Sequence, residues 1–372
     1  MVGFAACFEE IKDPRTGNAG RHDLLEILMI ALCSVLCGGQ TAVDMAEFGK
    51  AKEGFLRRFL KLERGIPSPD TFSRVFRLLD PEQFRACFIT FMARFAEAAQ
   101  GVIAIDGKTL RHSFDTASAT SCLHMVSAWG CEQRLVLGQR ATDAKSNEIT
   151  AVPKLLDLLV LNGTIVTVDA MNCQRDIARR IIDKGGEYVF ALKANQQTLY
   201  DDVRRFLDDP DTAGVERHTT VEGDHGRIET RTALVSTDIA WLQDIHHWPG
   251  LDAIGKVIRT REVNGKITTE TAFYLASSPL SAERFSTVTR AHWGIECPRG
   301  TRSVNSLHWV LDVAMNEDNA RNRKDNGPEN LAILRHMALN IIRKEKSKGS
   351  TRLKFKHAAW NDDFLAKLLA QI

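Results

Sequence analysis

Two nearly continuous apolar runs, Val102–Ile105 and Ile165–Val168, each end in an aspartate, Asp106 and Asp169. This repeated pattern constrains the fold more than any other feature. Runs that are apolar at successive positions belong to strands covered on both faces, and such strands sit inside sheets flanked by helices. An unpaired carboxylate is costly to bury, so an acid where such a run stops either opens a turn or serves chemistry. Asp106 is followed by Gly107, and Asp-Gly is by itself a strong turn signal, so this stretch alone leaves both readings open.

The surrounding pattern places these strands. Residues 1–100 carry apolar positions at helical spacing, in 22–37, in 42–60 and in 81–99. Between the last two, Ser68 or Asp70 can cap a helix beginning near Thr71 that exposes Arg74 and Arg77. Short helices with Gly/Pro breaks and one basic helix fit either a helix-turn-helix-like module or a plain bundle. From residue 101 strands come first in succession and then alternate with helices, which predicts a mixed sheet covered by helices. Residues 205–280 are strand-rich, with an Asn264-Gly265 hairpin signal, and read as a β-rich insertion. From Ser281 the chain is helical again. The expected organisation is a helical domain at 1–100, the first part of an α/β core at 101–204, the insertion at 205–280, and helices completing the core at 281–372.

Composition excludes little. A formal net charge of +2 does not reveal a partner. Locally, Lys and Arg far outnumber Asp and Glu from Asn319 to His357, which suits contact with a polyanion or a solvated basic face. The eight cysteines form no CxxC pair; Cys33 and Cys37 read as reduced, buried thiols of a cytoplasmic protein. The apolar stretch Leu24–Cys37 is too short to span a bilayer, and no signal peptide is recognisable.

If the two strands are neighbours, Asp106 and Asp169 meet at one sheet edge. Ligand sites in open α/β sheets lie at the carboxyl ends of the strands. Paired acids stay ionised only with a cation between or beside them. Oxygen ligands favour Mg²⁺ or Mn²⁺ over zinc. A third acid from a late helix would complete a two-metal site, and Glu296, one turn beyond His292, is the best candidate.

These residues lie in motifs that resemble the H-repeat-associated transposases of bacterial insertion sequences, in the DDE superfamily. The motifs include GIPSPDTFSRV at 65–75, VIAIDGKTLRHS at 102–113, TDAKSNEITAVPKLL at 142–156, VTVDAMNCQRDIA at 166–178, FALKANQ at 190–196, HGRIETR at 225–231, RAHWGIE at 290–296 and LHWVLDVAMNEDNARNR at 307–323. They run in order almost from end to end. The resemblance implies an α/β fold: an RNase H-like mixed sheet flanked by helices, with a helical N-terminal domain and a β-rich insertion. It implies that Asp106, Asp169 and Glu296 are the catalytic, metal-binding acids, that the cofactor is Mg²⁺ (or Mn²⁺), and that the substrate is double-stranded DNA: element terminal inverted repeats and target. A homodimer on DNA, nucleoid association and no membrane partner are expected.

With that reading, Lys108, Arg111 and Lys193 face DNA phosphates and Arg74 contacts DNA from the helical domain. Arg227 and Arg231 share one strand face with Glu229, as a DNA-contact stripe or a salt-bridged surface. His292 and His308 serve either phosphate contact or structure, and Trp293 and Trp309 are expected in the core. One departure stands out. Residues 297–304, CPRGTRSV, interrupt the expected run from Glu296 to LHW. Pro298 and the restricted Cys297 predict a helix stop within about two residues of Glu296, a loop over 298–303 and a new helix near Asn305. Asp312 or Glu317 would be the substitute third ligand if the loop displaced Glu296. The rival functions are a DNA-binding remnant that no longer cuts and a non-transposing RNase H-like nuclease.

Overall fold

The first apolar run becomes β1 (Gly101–Thr109), which pairs antiparallel with β2 (His124–Gly130) and parallel with β4 (Thr164–Val168). A computed structural model describes residues 2–95, 100–115, 121–142, 148–224, 226–296 and 306–372. With β3 (Leu135–Ala141), β5 (Glu187–Leu192), β6 (Val215–Asp224), β7 (Arg227–Ser236), β8 (Ala253–Val263) and β9 (Lys266–Ala276), it forms one mixed sheet in the order β3-β2-β1-β4-β5-β9-β8-β7-β6. The half β3-β2-β1-β4-β5, with β2 reversed and β1, β4 and β5 parallel, is the RNase H-like core. β4 is buried at every position, as a strand covered on both faces must be.

The strands read as an insertion extend this same sheet. β9 pairs with β5 from Val189↔Ala276 to Leu192↔Phe273, and β8, β7 and β6 follow as antiparallel neighbours. The Asn264-Gly265 signal forms the two-residue turn between β8 and β9: both residues have positive φ, 51° and 75°, and Val263 pairs with Lys266. Such a turn matches the natural twist of the two strands.

Helices cover the sheet. The N-terminal set is α1 (Val2–Phe8), α2 (Leu24–Leu36), α3 (Ala42–Ala51), α4 (Glu53–Leu56), α5 (Pro69–Leu78) and α6 (Pro81–Phe95). Within the α/β region lie α7 (Glu148–Asp157), α8 (Arg175–Asp183), α9 (Gln197–Asp208), α10 (Ala240–His246) and α11 (Ala282–His292). Then come α12 (Leu307–Val313), α13 (Gly327–Lys344), α14 (Thr351–Trp360) and α15 (Asp362–Leu369). α2 is apolar all round because neighbours surround it, α3 and α13 among them. No helix among the described residues is long and apolar enough to cross a membrane. Ser68, not Asp70, caps α5: its side chain accepts the Thr71 amide hydrogen, and Pro69 follows in the first turn.

α13 ties the helical region to the sheet. It packs on α2, α5, α6 and β3, and the main apolar cluster has members from Phe4 to Ile372. Two buried asparagines make the tie specific. Asn330 donates to the Phe76 and Leu79 carbonyls at the end of α5, both at 2.9 Å. Asn340 is 0 % exposed, accepts from the Val136 amide and donates to the Val136 carbonyl, both at 2.9 Å. β3 is an edge strand, so one side chain satisfies backbone groups that no further strand pairs. Asn340→Ala leaves both Val136 groups buried and unpaired, and should lower unfolding stability by about 1–3 kcal/mol or more. Denaturant titration measures this, and an unchanged midpoint would show that the edge is held by packing alone.

Candidate active site

Asp106 does not sit at a strand tip. β1 continues beside β2 through Thr109↔His124, whereas its ladder with β4 ends at Ile105↔Val168. Asp106 therefore lies where β4 stops, and Asp169 is the residue that follows β4. The two acids extend the same parallel register by one step, on strands about 4.8 Å apart. Asp106 is 6 % exposed; its Oδ2 has no hydrogen-bond partner and lies 3.7 Å from His308 Nδ1. Asp169 is half-buried, and its Oδ1 accepts from the Asn172 backbone amide at 3.1 Å and from Asn172 Nδ2 at 2.9 Å.

Glu296 reaches the site by a different route from the one expected. α11 ends at His292, four residues earlier, and closes in a tight turn with Gly294 N–H on the Ala291 carbonyl (2.9 Å) and Ile295 N–H on the His292 carbonyl (3.2 Å). Glu296 is thus not one helical turn beyond His292, and the two do not share a helix face. The helix stops before the Pro298 signal because these tight turn bonds replace the helical ladder, with Gly294 in the turn. Glu296 nevertheless lies against Asp106. Burial first, and then the neighbouring Glu296 and Glu148, push the Asp106 carboxyl up to about 9.

Residues 297–305, with Pro298 and Asn305, lie outside the described residues, so the expected loop and its end are not described. The chain on either side is. His308 N–H donates to the Ile295 carbonyl at 3.1 Å, and Ile295 and Leu307 are both 0 % exposed. The described residues on either side of this stretch are therefore held together, and α12 still supports the segment bearing Glu296.

Sequence reasoning missed Glu148, His124 and Asn172. Glu148 opens α7; its Oε1 is 2.7 Å from His124 Nε2 and its Oε2 accepts from Asn172 Nδ2 at 2.8 Å. Burial would raise the Glu148 pKa, but these two bonds outweigh it and hold the carboxylate below its usual range. The one available signal was Gly107. A Cβ there would come within 2.2 Å of both Glu148 Oε1 and His124 Nε2, so a side chain at this point of β1 would push the Glu148–His124 pair out of place.

The basic residues divide. Lys108 does not face solvent: its side chain is 9 % exposed, and its Nζ lies 2.8 Å from Asp312, 3.2 Å from Glu317 and 2.9 Å from Asp318. The expected phosphate contact is not supported by this placement, because three carboxylates already surround the ammonium. The same cage occupies Asp312 and Glu317, the substitute ligands. Arg111 is largely exposed, 3.4 Å from Asp318. Arg74 and Lys193 are exposed and have no ion-pair partner among the described residues. Lys193, Arg231, Arg259, His292 and Trp293 line a cleft of about 350 Å³ that opens beside Asp169. On the β7 face, Glu229 is buried beneath Arg231, Arg227 at 3.6 Å and Arg261 at 3.7 Å, so this is a salt-bridged surface that still has more cations than acids. His292 Nδ1 is 2.9 Å from Thr167 Oγ1, and desolvation lowers its pKa. Trp309 packs on the main core as expected, but Trp293 is 38 % exposed. It lies beyond the end of α11 and lines the cleft.

Among the described residues no three His, Cys, Asp or Glu side chains close into a ready metal cage. The residues still fit a hard cation. The donors are carboxylate oxygens, Asp106 Oδ2 is buried without a partner, and the Asp106 and Glu296 charges oppose each other.

The family models and a full-length relative define the class. The transposase DDE domain model matches residues 97–341, and the model of the DDE_Tnp_1-associated domain matches residues 5–92. The chain is a DDE-type transposase. Within that class it belongs to the H-repeat-associated family. It is 37 % identical to the "H repeat-associated putative transposase YhhI" of Escherichia coli K12, over 97 % of this chain and 96 % of the relative. It is also 47 % identical, over 73 % of this chain and 92 % of the relative, to a protein of Xanthobacter autotrophicus described as "Uncharacterized protein in dhlA 3'region". A piggyBac transposase synaptic complex with hairpin DNA aligns with 99 % of this chain and 77 % of its own, at 11 % identity and a TM-score of 0.42. DDE transposases generally use divalent metal ions.

Removing the Lys108 charge separates its two readings. Lys108→Ala strands buried carboxylates and should cost about 3–5 kcal/mol of stability. It should leave the salt dependence of DNA binding unchanged under conditions where the variant is folded. A shallower salt slope would return Lys108 to the DNA contacts.

Proposed function

We propose that this transposase cuts DNA at the ends of its insertion sequence and joins the freed 3′ ends to target DNA, with Asp106, Asp169 and Glu296 as the catalytic acids. One observation carries the reading: the parallel ladder of β1 and β4, ending at Ile105↔Val168, brings Asp106 on β1 level with Asp169 just past β4, and Glu296 lies against Asp106. The three acids would hold Mg²⁺, with Mn²⁺ as a substitute. When bound, the ions supply Lewis acidity toward the scissile phosphate and lower the pKa of a bound water.

The chain's own groups orient and exclude. Burial of Asp106 in β1 fixes it on a rigid element, which catalytic geometry requires. Asn172 holds one oxygen of Asp169. His292, held on Thr167, and the exposed Lys193 border the cleft beside Asp169 and would receive the phosphate backbone. Arg74, Arg111, Arg227 and Arg231 would extend that contact over the duplex. Two copies, one on each element end, are the proposed working unit. The closure of Ile295 on His308 supports an active copy over a remnant, because it preserves the base of the Glu296 segment.

Asp106→Asn should retain binding to an inverted-repeat duplex and lose Mg²⁺-dependent cleavage by at least about 10²-fold, the scale for loss of one charge-stabilising group. Gel-shift and cleavage assays on one preparation test this, and full cleavage by the variant would remove Asp106 from the site. Separately, Lys193→Ala and Arg74→Ala should each reduce the slope of log affinity against log salt by about 0.9. Unaltered slopes would make both ordinary surface charges.

A further inference from the structure

Glu148 is a buried acid next to the three catalytic candidates, yet both of its oxygens are already engaged. Oε1 meets His124 Nε2 at 2.7 Å, and the other ring nitrogen of His124 lies 2.8 Å from Thr109 Oγ1 on β1. Oε2 accepts from Asn172 Nδ2 at 2.8 Å, and the same amide nitrogen donates to Asp169 Oδ1 at 2.9 Å. Asn172 is 0 % exposed. Its amide orientation follows from its neighbours, because a group facing two carboxylates must present its NH₂. The Asn172 backbone amide adds a second bond to the same Asp169 oxygen, at 3.1 Å. Asp169 Oδ2 accepts no hydrogen bond from a described residue. Gly107 leaves room for the bridge to cross β1.

We infer that Glu148 and Asn172 are positioning residues, forming a bridge from β1 through α7 that pins Asp169 by one carboxylate oxygen and leaves the other for a divalent cation. An aspartate just past the end of a strand has free side-chain torsions, and a metal site needs its ligands held within about 0.5 Å. Outer partners of ligating groups typically contribute 10–100-fold in metal affinity. The inference rests on the acid site proposed above.

The test uses the full-length protein without DNA and reads Mn²⁺ affinity by calorimetry, with Asp106→Asn as the reference. Glu148→Ala and Asn172→Ala should each weaken Mn²⁺ binding by about 10–100-fold. Glu148→Gln should recover most of it, because its carbonyl can still accept from Asn172 while a neutral His124 accepts from its NH₂. Equal losses in Glu148→Gln and Glu148→Ala would mean that Glu148 acts by its charge, and would overturn the positioning role. Unchanged affinity in Glu148→Ala, with Asp106→Asn losing binding, would overturn the bridge and leave the acid site intact. No Mn²⁺ binding by the native protein, or none lost in Asp106→Asn, would overturn both. If Glu148→Ala does not fold, Asn172→Ala decides: a weakened ion supports the bridge and unchanged affinity overturns it.

Discussion

The parallel ladder between β1 and β4 is the constraint on which the site depends. Parallel strands keep residues in step, so two acids that end separate apolar runs come to the same level. Any slip by one residue would turn one of them to the opposite face. Because β4 stops at Val168 while β1 continues beside β2, Asp106 is anchored on a strand and Asp169 stands just beyond one. That asymmetry explains why Asp106 is held by burial, and why Asp169 has hydrogen bonds from Asn172.

Charge is handled differently at two neighbouring points of β1, Asp106 and Lys108. Toward β4, carboxylates accumulate without enough counter-charge, and Asp106 is pushed toward its neutral form. At Lys108, a single ammonium is surrounded by Asp312, Glu317 and Asp318. Two residues along the strand from Asp106, these acids have fixed cations beside them, Lys108 together with Arg335 on Glu317 and Arg111 on Asp318. The Lys108 cage also ties β1 to α12 through Asp312 and to the segment after it through Glu317 and Asp318; α12 is the helix whose first turn closes on Ile295.

That closure gives a general reason why eight extra residues can be tolerated beside Glu296. The entropic cost of joining two fixed points by a longer stretch of chain grows only slowly with its length. What matters is whether its two ends are held, and here a backbone hydrogen bond and two fully buried side chains hold them.

The sequence by itself determined the sheet-with-helices class, the two aspartates that close apolar runs, the Asn264-Gly265 turn and a capped helix beginning near Thr71, because each depends on local periodicity or local backbone geometry; that Ser68 rather than Asp70 is the cap, and that β1 runs on past Asp106, came from the structure. It also carried the motifs that place the chain in its family. Tertiary structure decided what depends on distant partners. Glu296 was legible as an acid, but its place beyond the end of α11 follows from tight turn bonds that periodicity does not register. Lys108 read as a phosphate contact because the three carboxylates that cage it lie some two hundred residues further along the chain. Glu148 drew no notice in the sequence because His124 and Asn172 reach it from a separate strand and loop. Hydrogen bonds between segments far apart in the chain leave no period in a sequence, and only folding brings their donors and acceptors together.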